Sequence, residues 1–165
     1  MISATNQYVT FRLDGEVYAL DVGNAREIVG VPRLTRMPST PSWVRGVMNL
    51  RGSVVPVVDL KHKFDMGPTA ITKDACILVV EFHVDEQVFV IGMLVDAVVE
   101  VFELPPQAIE EPPRFGARYS PRYVKGMGRR GDSVFVVLDA DKVLSENEVN
   151  VTRSGIDSEV LAPVA

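Results

Sequence analysis

Sulfur chemistry is nearly absent from this sequence: Cys76 is the only cysteine among 165 residues. An internal disulfide is therefore excluded and a reducing compartment is expected. Inside CILVVEF, Cys76 reads as a small buried apolar residue rather than a nucleophile or ligand. Long apolar runs are missing too. No stretch reaches the length of a membrane span, and MISATNQYVTFRLDGE at the start has neither a basic region leading into an apolar run nor a cleavage signal, so a soluble, cytoplasmic protein is expected. Excess positive charge is also lacking. With 17 Lys and Arg against 22 Asp and Glu, the net charge of -5 argues against broad attraction to nucleic acid or anionic lipid.

The usual constellations of catalysis are not present either. His62 and His83 stand 21 residues apart and belong to no metal-ligand spacing, and no serine sits in a G-x-S-x-G elbow. Asp21, Glu27, Asp59, Asp96 and Asp139 are widely spaced near expected strand ends, where turn, cap and ion-pair roles suit them better than paired acid and base chemistry. GMGRRG at 126–131 matches a dinucleotide fingerprint by letter, but DSVFVVLD follows it. A strand there leaves no helix N-terminus to face a pyrophosphate. No catalytic residue, cofactor or metal is expected.

What the chain does have is β-forming pattern and a 47% hydrophobic content, enough for a core. Val9, Phe11 and Leu13 alternate with Thr10, Arg12 and Asp14; Asp14-Gly15 turns the chain, and Tyr18, Leu20 and Val22 resume the apolar face. Further strands are expected at 26–31, 46–50, 53–58, 76–82, 87–95, 97–102, 123–129 and 133–138, with a short helix near 60–64. A second helix is expected over 140–149, with Asp139 as a candidate cap. WVRGVMNLRGSVVPVVD at 43–59 lies without a gap over YVKGMGRRGDSVFVVLD at 123–139, an offset of 80 residues, and EVYALDV echoes QVFVIGM. The expected fold is therefore all-β, two similar small barrels packed side by side and joined through 65–74, with the Pro-rich span 104–115 as an extended loop.

Candidate binding residues cluster around the first copy of the repeat. Pro56 removes a backbone donor from a strand-like run, which points to a sheet edge or a bulge and hence to a docking surface. Arg51 sits in the turn before it and can reach a carboxylate, Glu27 being the candidate, or a partner's carboxylate. Trp43 has two readings, an exposed anchor or a core residue at a barrel end. The stretch 114–131 carries six basic side chains and no acid, with Phe115, Tyr119 and Tyr123 interleaved. Its Arg118, Arg122, Arg129 and Arg130 fit a protein contact or, as an alternative, a groove for single-stranded nucleic acid.

EVYALDV (16–22), AREIVGV (25–31), TRMPSTPSWVRGVMNLRGSVVPVVDL (35–60), GMLVDAVVEV (92–101) and YVKGMG (123–128) together closely resemble the CheW family of bacterial chemotaxis adaptors, over residues 7–145. The resemblance implies one domain of two interlocked five-stranded SH3-like barrels, with cores at about 15–65 and 75–139 and a C-terminal helix and tail at 140–165. It implies no catalysis, no cofactor, no nucleic acid and no membrane insertion. The implied role is coupling the cytoplasmic tips of transmembrane chemoreceptors to the regulatory domain of the histidine kinase CheA in membrane-associated arrays; an adaptor of another chemosensory pathway, such as one for surface motility, is the neighbouring possibility. By resemblance, Glu27 and Arg51 are the polar coupling positions, and Trp43 and Val95 join them as partner-binding candidates. Gly46, Asn49, Gly52, Pro56 and Asp59, with Asp96 and Gly126 in the second half, match framework positions.

Overall fold

The computed structural model describes residues 6–21, 25–84, 86–112 and 123–143. The first hairpin, β1 (Asn6–Leu13) and β2 (Glu16–Asp21), closes through Asp14 and Gly15, both at positive φ (54° and 85°). A turn of that kind matches the right-handed twist of the strands it joins. Val9, Phe11 and Leu13 are buried as the alternation requires. Thr10 is buried as well, contrary to its place on the polar face: its hydroxyl donates to the carbonyl oxygen of Glu100 (2.9 Å) and accepts from the Glu100 N–H (3.2 Å), filling a bulge between strands.

Among the described residues nine further strands follow: β3 (Ala25–Gly30), β4 (Val44–Leu50), β5 (Ser53–Asp59), β6 (Cys76–Val84), β7 (Gln87–Val95), β8 (Ala97–Leu104), β9 (Ile109–Glu110), β10 (Val124–Arg130) and β11 (Ser133–Leu138), with α1 (Leu60–Lys63) after β5 and α2 (Ala140–Val143) after β11. They form a six-stranded sheet, β8-β1-β2-β11-β10-β9, and a five-stranded sheet, β3-β6-β7-β5-β4. The expectation of two five-stranded units is thus met in one sheet and exceeded in the other. The span 104–115 is not simply an extended loop, since it contains a 3-10 turn at Pro106–Ala108 and β9, which pairs with β10. Of the expected helix at 140–149, the part beyond Val143 lies outside the described residues.

The repeat is structural. Both copies are hairpins bulged at the same place, between Val44 and Gly46 and between Val124 and Gly126. In both, the closing aspartate donates its N–H to the carbonyl of the opening aromatic, Asp59 to Trp43 (2.8 Å) and Asp139 to Tyr123 (2.9 Å). Each second strand then pairs in parallel with a strand from the other half, β5 with β7 and β11 with β2. The division at 65–74 therefore does not separate the sheets. Each half gives its leading hairpin, β1–β2 or β6–β7, to the sheet built from the other half's later strands.

Burial follows from that exchange. Ile77, Val79, Val90 and Leu94 point into a cluster inside the five-stranded sheet, whereas Leu78, Val80, Phe82, Phe89, Ile91, Met93 and Val95, alternating with them, meet Val9, Phe11, Leu13 and Leu20 between the sheets. A third cluster, Tyr8, Ala19, Phe135 and Val137, fills the six-stranded sheet. The exchanged hairpin strands β6 and β7 are buried on both faces, which is why they read as continuous apolar runs.

Pro56 corrects an expectation. It lies in β5, an interior strand, and is buried. Its partner Val47 directs its own N–H and carbonyl away from β5, to Thr35 (2.8 and 2.9 Å), so the missing Pro56 donor faces the β7 side. The β7 ladder begins one residue later, at Val57. The proline falls where no bond is made, and neither an edge nor a bulge is required.

Candidate functional site

The β4–β5 connection is a two-residue turn, Arg51-Gly52, between the paired Leu50 and Ser53. Both turn residues have positive φ, 51° and 89°. Glycine adopts this freely, while arginine at position 51 is accepted only because the turn type demands it. Asn49 braces the turn by accepting the Gly52 N–H on Oδ1 (2.8 Å). A short braced turn of this kind gives the guanidinium a fixed origin.

Glu27 and Arg51 meet, as their spacing in sequence did not show but the reading of the turn anticipated. Arg51 Nη1 donates to Glu27 Oε1 (2.9 Å), and Nη2 donates to Oε2, a two-pronged pair. β3 and β4 are opposite edges of the five-stranded sheet, so a bond from β3 to the β4–β5 turn means that the sheet curls until its two sides meet. The Arg51 side chain is 68% exposed and that of Glu27 28%. The hydrogen bond from Arg51, with its charge, holds the Glu27 carboxyl below its ordinary 4.5, and Glu27 in turn raises Arg51. Beside them Arg26 pairs with Glu81 (3.3 Å), and Ile28 is exposed. This rim combines fixed charge pairs with an apolar side chain open to solvent.

The framework positions hold the hairpin beneath it. Gly46 has φ 137°, and a Cβ there would fall on the carbonyl oxygen of Thr35. Asp59 is fully buried: it accepts from Arg45 Nη1 (2.9 Å), Thr69 N–H (2.8 Å), Thr69 Oγ1 (2.6 Å) and His62 N–H (3.3 Å). Arg45 and Thr69 were missed in the sequence, because nothing local marks Thr69 as the partner of an aspartate ten residues earlier. Asp96 accepts from the Asp14 N–H (2.8 Å) and pairs with Lys61 (3.4 Å), tying the first hairpin turn to the end of β7 and to α1. At Gly126, a Cβ would stand 2.7 Å from the Glu110 carbonyl oxygen, so the glycine lets β9 lie against β10.

Two partner-binding candidates fare differently. Trp43 is half-buried against the core between the sheets, with Lys63 Nζ 4.4 Å from its ring centre, so it is partly core and partly open surface. Val95 is a correction. It has no exposed surface, because the alternation of β7 turns it with Met93 and Ile91 into the core between the sheets, where no partner reaches it.

Within the described part of the basic stretch, Arg129 and Arg130 are not free cations. Arg129 pairs with Glu110 (2.5 Å), and Arg130 pairs with Glu100. The Tyr123 ring packs 5.1 Å from Phe64 at the core's edge. Arg118 and Arg122, with Phe115 and Tyr119, lie outside the described residues. Cys76 is half-buried in β6, and desolvation pushes its thiol above the ordinary value, away from nucleophilic use. Among the described residues no group of three or more His, Cys, Asp or Glu is placed to hold a metal ion, and no helix is long and apolar enough to cross a membrane.

Comparison with known proteins gives a consistent result. A family model described as CheW-like domain matches residues 7–148. The chain is 32% identical over 152 residues to "Chemotaxis protein CheW" of Klebsiella aerogenes, covering 90% of this chain and 89% of that one. It is 30% identical over 141 residues to the protein of the same name in Helicobacter pylori, covering 86% and 82%. "Protein PilI" of Pseudomonas aeruginosa is 34% identical over 103 residues, 62% of this chain and 56% of that one. Among solved structures, the scaffolding protein TtCheW from Thermoanaerobacter tengcongensis superposes with a TM-score of 0.76 at 32% identity, covering 88% of this chain and 96% of that one.

Proposed function

Since the chain belongs to the CheW family of non-enzymatic scaffold and adaptor proteins, we propose that it couples transmembrane chemoreceptors to the histidine kinase CheA and supports assembly of their arrays. In this reading residues 7–145 act as one unit. The unit works in the cytoplasm and is recruited to the membrane through the cytoplasmic tips of the receptors, and it also binds the kinase regulatory domain. The observation that carries the reading is the pair formed by Arg51, exposed on a braced turn, and Glu27 on edge strand β3. Its guanidinium is stiffly presented, and its carboxylate partner leaves it charged and oriented for a second acceptor. Trp43 and Lys63 offer a further half-open surface at the other end of the same hairpin.

The test is reconstitution. Receptor-bearing membranes and CheA are mixed with and without the purified protein, and autophosphorylation of the kinase is followed. Activation should depend on the added protein; kinase activity that is the same in its absence overturns the proposal. The likeness to Protein PilI over about three fifths of the chain favours a second reading, an adaptor for a different chemosensory pathway. In that case the protein activates a kinase and receptor set of that pathway and leaves the chemotaxis set unaffected.

A further inference from the structure

The pair on the five-stranded sheet has a counterpart on the six-stranded sheet. In β3 the register against β6 shifts at Arg26, with Ala25 opposite Val80 and Glu27 opposite Val79. In β8 the register against β1 shifts at Val99, with Val98 opposite Phe11 and Glu100 opposite Thr10. Aligning the two shifts lays Glu100 on Glu27 and Val101 on Ile28. Ile28 and Val101 are both exposed, 45% and 51%, although both are large apolar residues.

The opposite side of each sheet completes the match. β8 is an edge strand, as β3 is, and the β10–β11 hairpin corresponds to β4–β5. Arg130, the last residue of β10, pairs with Glu100 and lays its guanidinium over the Phe102 ring, 4.4 Å from the centre. Phe102 in turn meets Phe135 edge-on at 5.4 Å in the six-stranded sheet's own core. Arg130 stands one place before the position that the 80-residue offset assigns to Arg51, where the chain has Gly131 at φ 63°. The aligned letters therefore hide the equivalence that the register reveals.

We infer that Glu100 and Arg130 form a second clasp, which holds edge strand β8 against the β10–β11 turn and thereby positions Val101 for the coupling role. The functional half of this inference rests on the adaptor reading above. An isolated surface ion pair contributes little. This one differs because the guanidinium carbon also sits over an aromatic ring packed against the core, which adds a cation–π attraction.

The test uses full-length protein carrying Glu100→Arg, Arg130→Glu, both changes together, or the milder Arg130→Gln. Amide hydrogen exchange is read for residues 98–104 and, as internal reference, for 25–30. Each reversal should speed exchange in β8 roughly three- to tenfold while leaving β3 unchanged. Arg130→Gln should give a smaller effect in the same place, and the double reversal should recover only part of the loss, since a carboxylate at position 130 restores the ion pair but not the attraction to the Phe102 ring. Unchanged β8 exchange in the single variants, acceleration shared equally by β3, or a double variant as fast as the singles overturns the clasp. Kinase activation in the reconstituted array should fall and recover in the same pattern; full activation by variants with loosened β8 overturns the functional half alone. Failure of the unaltered protein to activate any kinase removes the adaptor reading, while the exchange result still decides the clasp.

Discussion

Arg51 joins two requirements that normally conflict, a charged side chain and a backbone at positive φ. Replacing it with glycine separates them: Arg51→Gly removes the guanidinium but suits the turn better, so urea unfolding should be unchanged or shifted to higher denaturant, while the rim loses its charge pair. A marked loss of stability would show that the arginine holds the fold and would contradict a role at the surface. Glu27 reports on the same contact. Its folded-state value is depressed, so the pair contributes stability above the ordinary value of the free carboxyl, and the contribution is lost as pH falls through the folded value. A carboxyl-detected NMR titration should place Glu27 below 4.5, and Arg51→Ala should return it toward 4.5. A midpoint at or above 4.5 in the unaltered protein would contradict the pairing in solution. At this scale the sequence was informative where chemistry decides: an arginine in a short turn called for a carboxylate and Glu27 was the candidate, although sequence alone does not bring the two together. The family resemblance misled at Val95, because a match to a motif says nothing about which face of a doubly covered strand a residue takes.

The hairpins depend on particular glycines and aspartates as well as on their buried valines. A methyl at Gly46 meets the Thr35 carbonyl and also demands an unfavourable backbone, so Gly46→Ala should destabilise by on the order of 2 kcal/mol and open the bridge between Thr35 and Val47. Asp59→Ala leaves the Arg45 guanidinium and the Thr69 donors without their acceptor and should cost about 3 kcal/mol, read from urea midpoints. A change under about 1 kcal/mol would mean that water replaces the carboxylate. Strand existence was legible from two-residue alternation and from valine-rich runs. The setting of Pro56 was not, since the rule that proline avoids central strands concerns the direction of a single N–H, and register alone tells whether that direction is used. The short β9 was hidden behind the prolines that precede it.

The exchange of hairpins is the property of the whole molecule that the sequence carried only by implication. The 80-residue echo announced two similar units, but a repeat shows which segments are alike and not which of them pair. Because each sheet takes strands from both halves, a cleavage site placed in the exposed stretch 70–74 should yield two pieces that still elute together after complete cutting. Pieces that separate under native conditions would contradict the interlocked arrangement. The central claim is that this interlocked body presents the Glu27 and Arg51 rim to couple kinase to receptor. Its most direct measurement is kinase activation at receptor membranes with Glu27→Arg, Arg51→Glu and the double reversal, each confirmed as folded by circular dichroism. Each single variant is predicted to lose most activation, and the double variant to recover part of it as attraction is restored with altered geometry. Full activation by folded Arg51→Glu would contradict the claim.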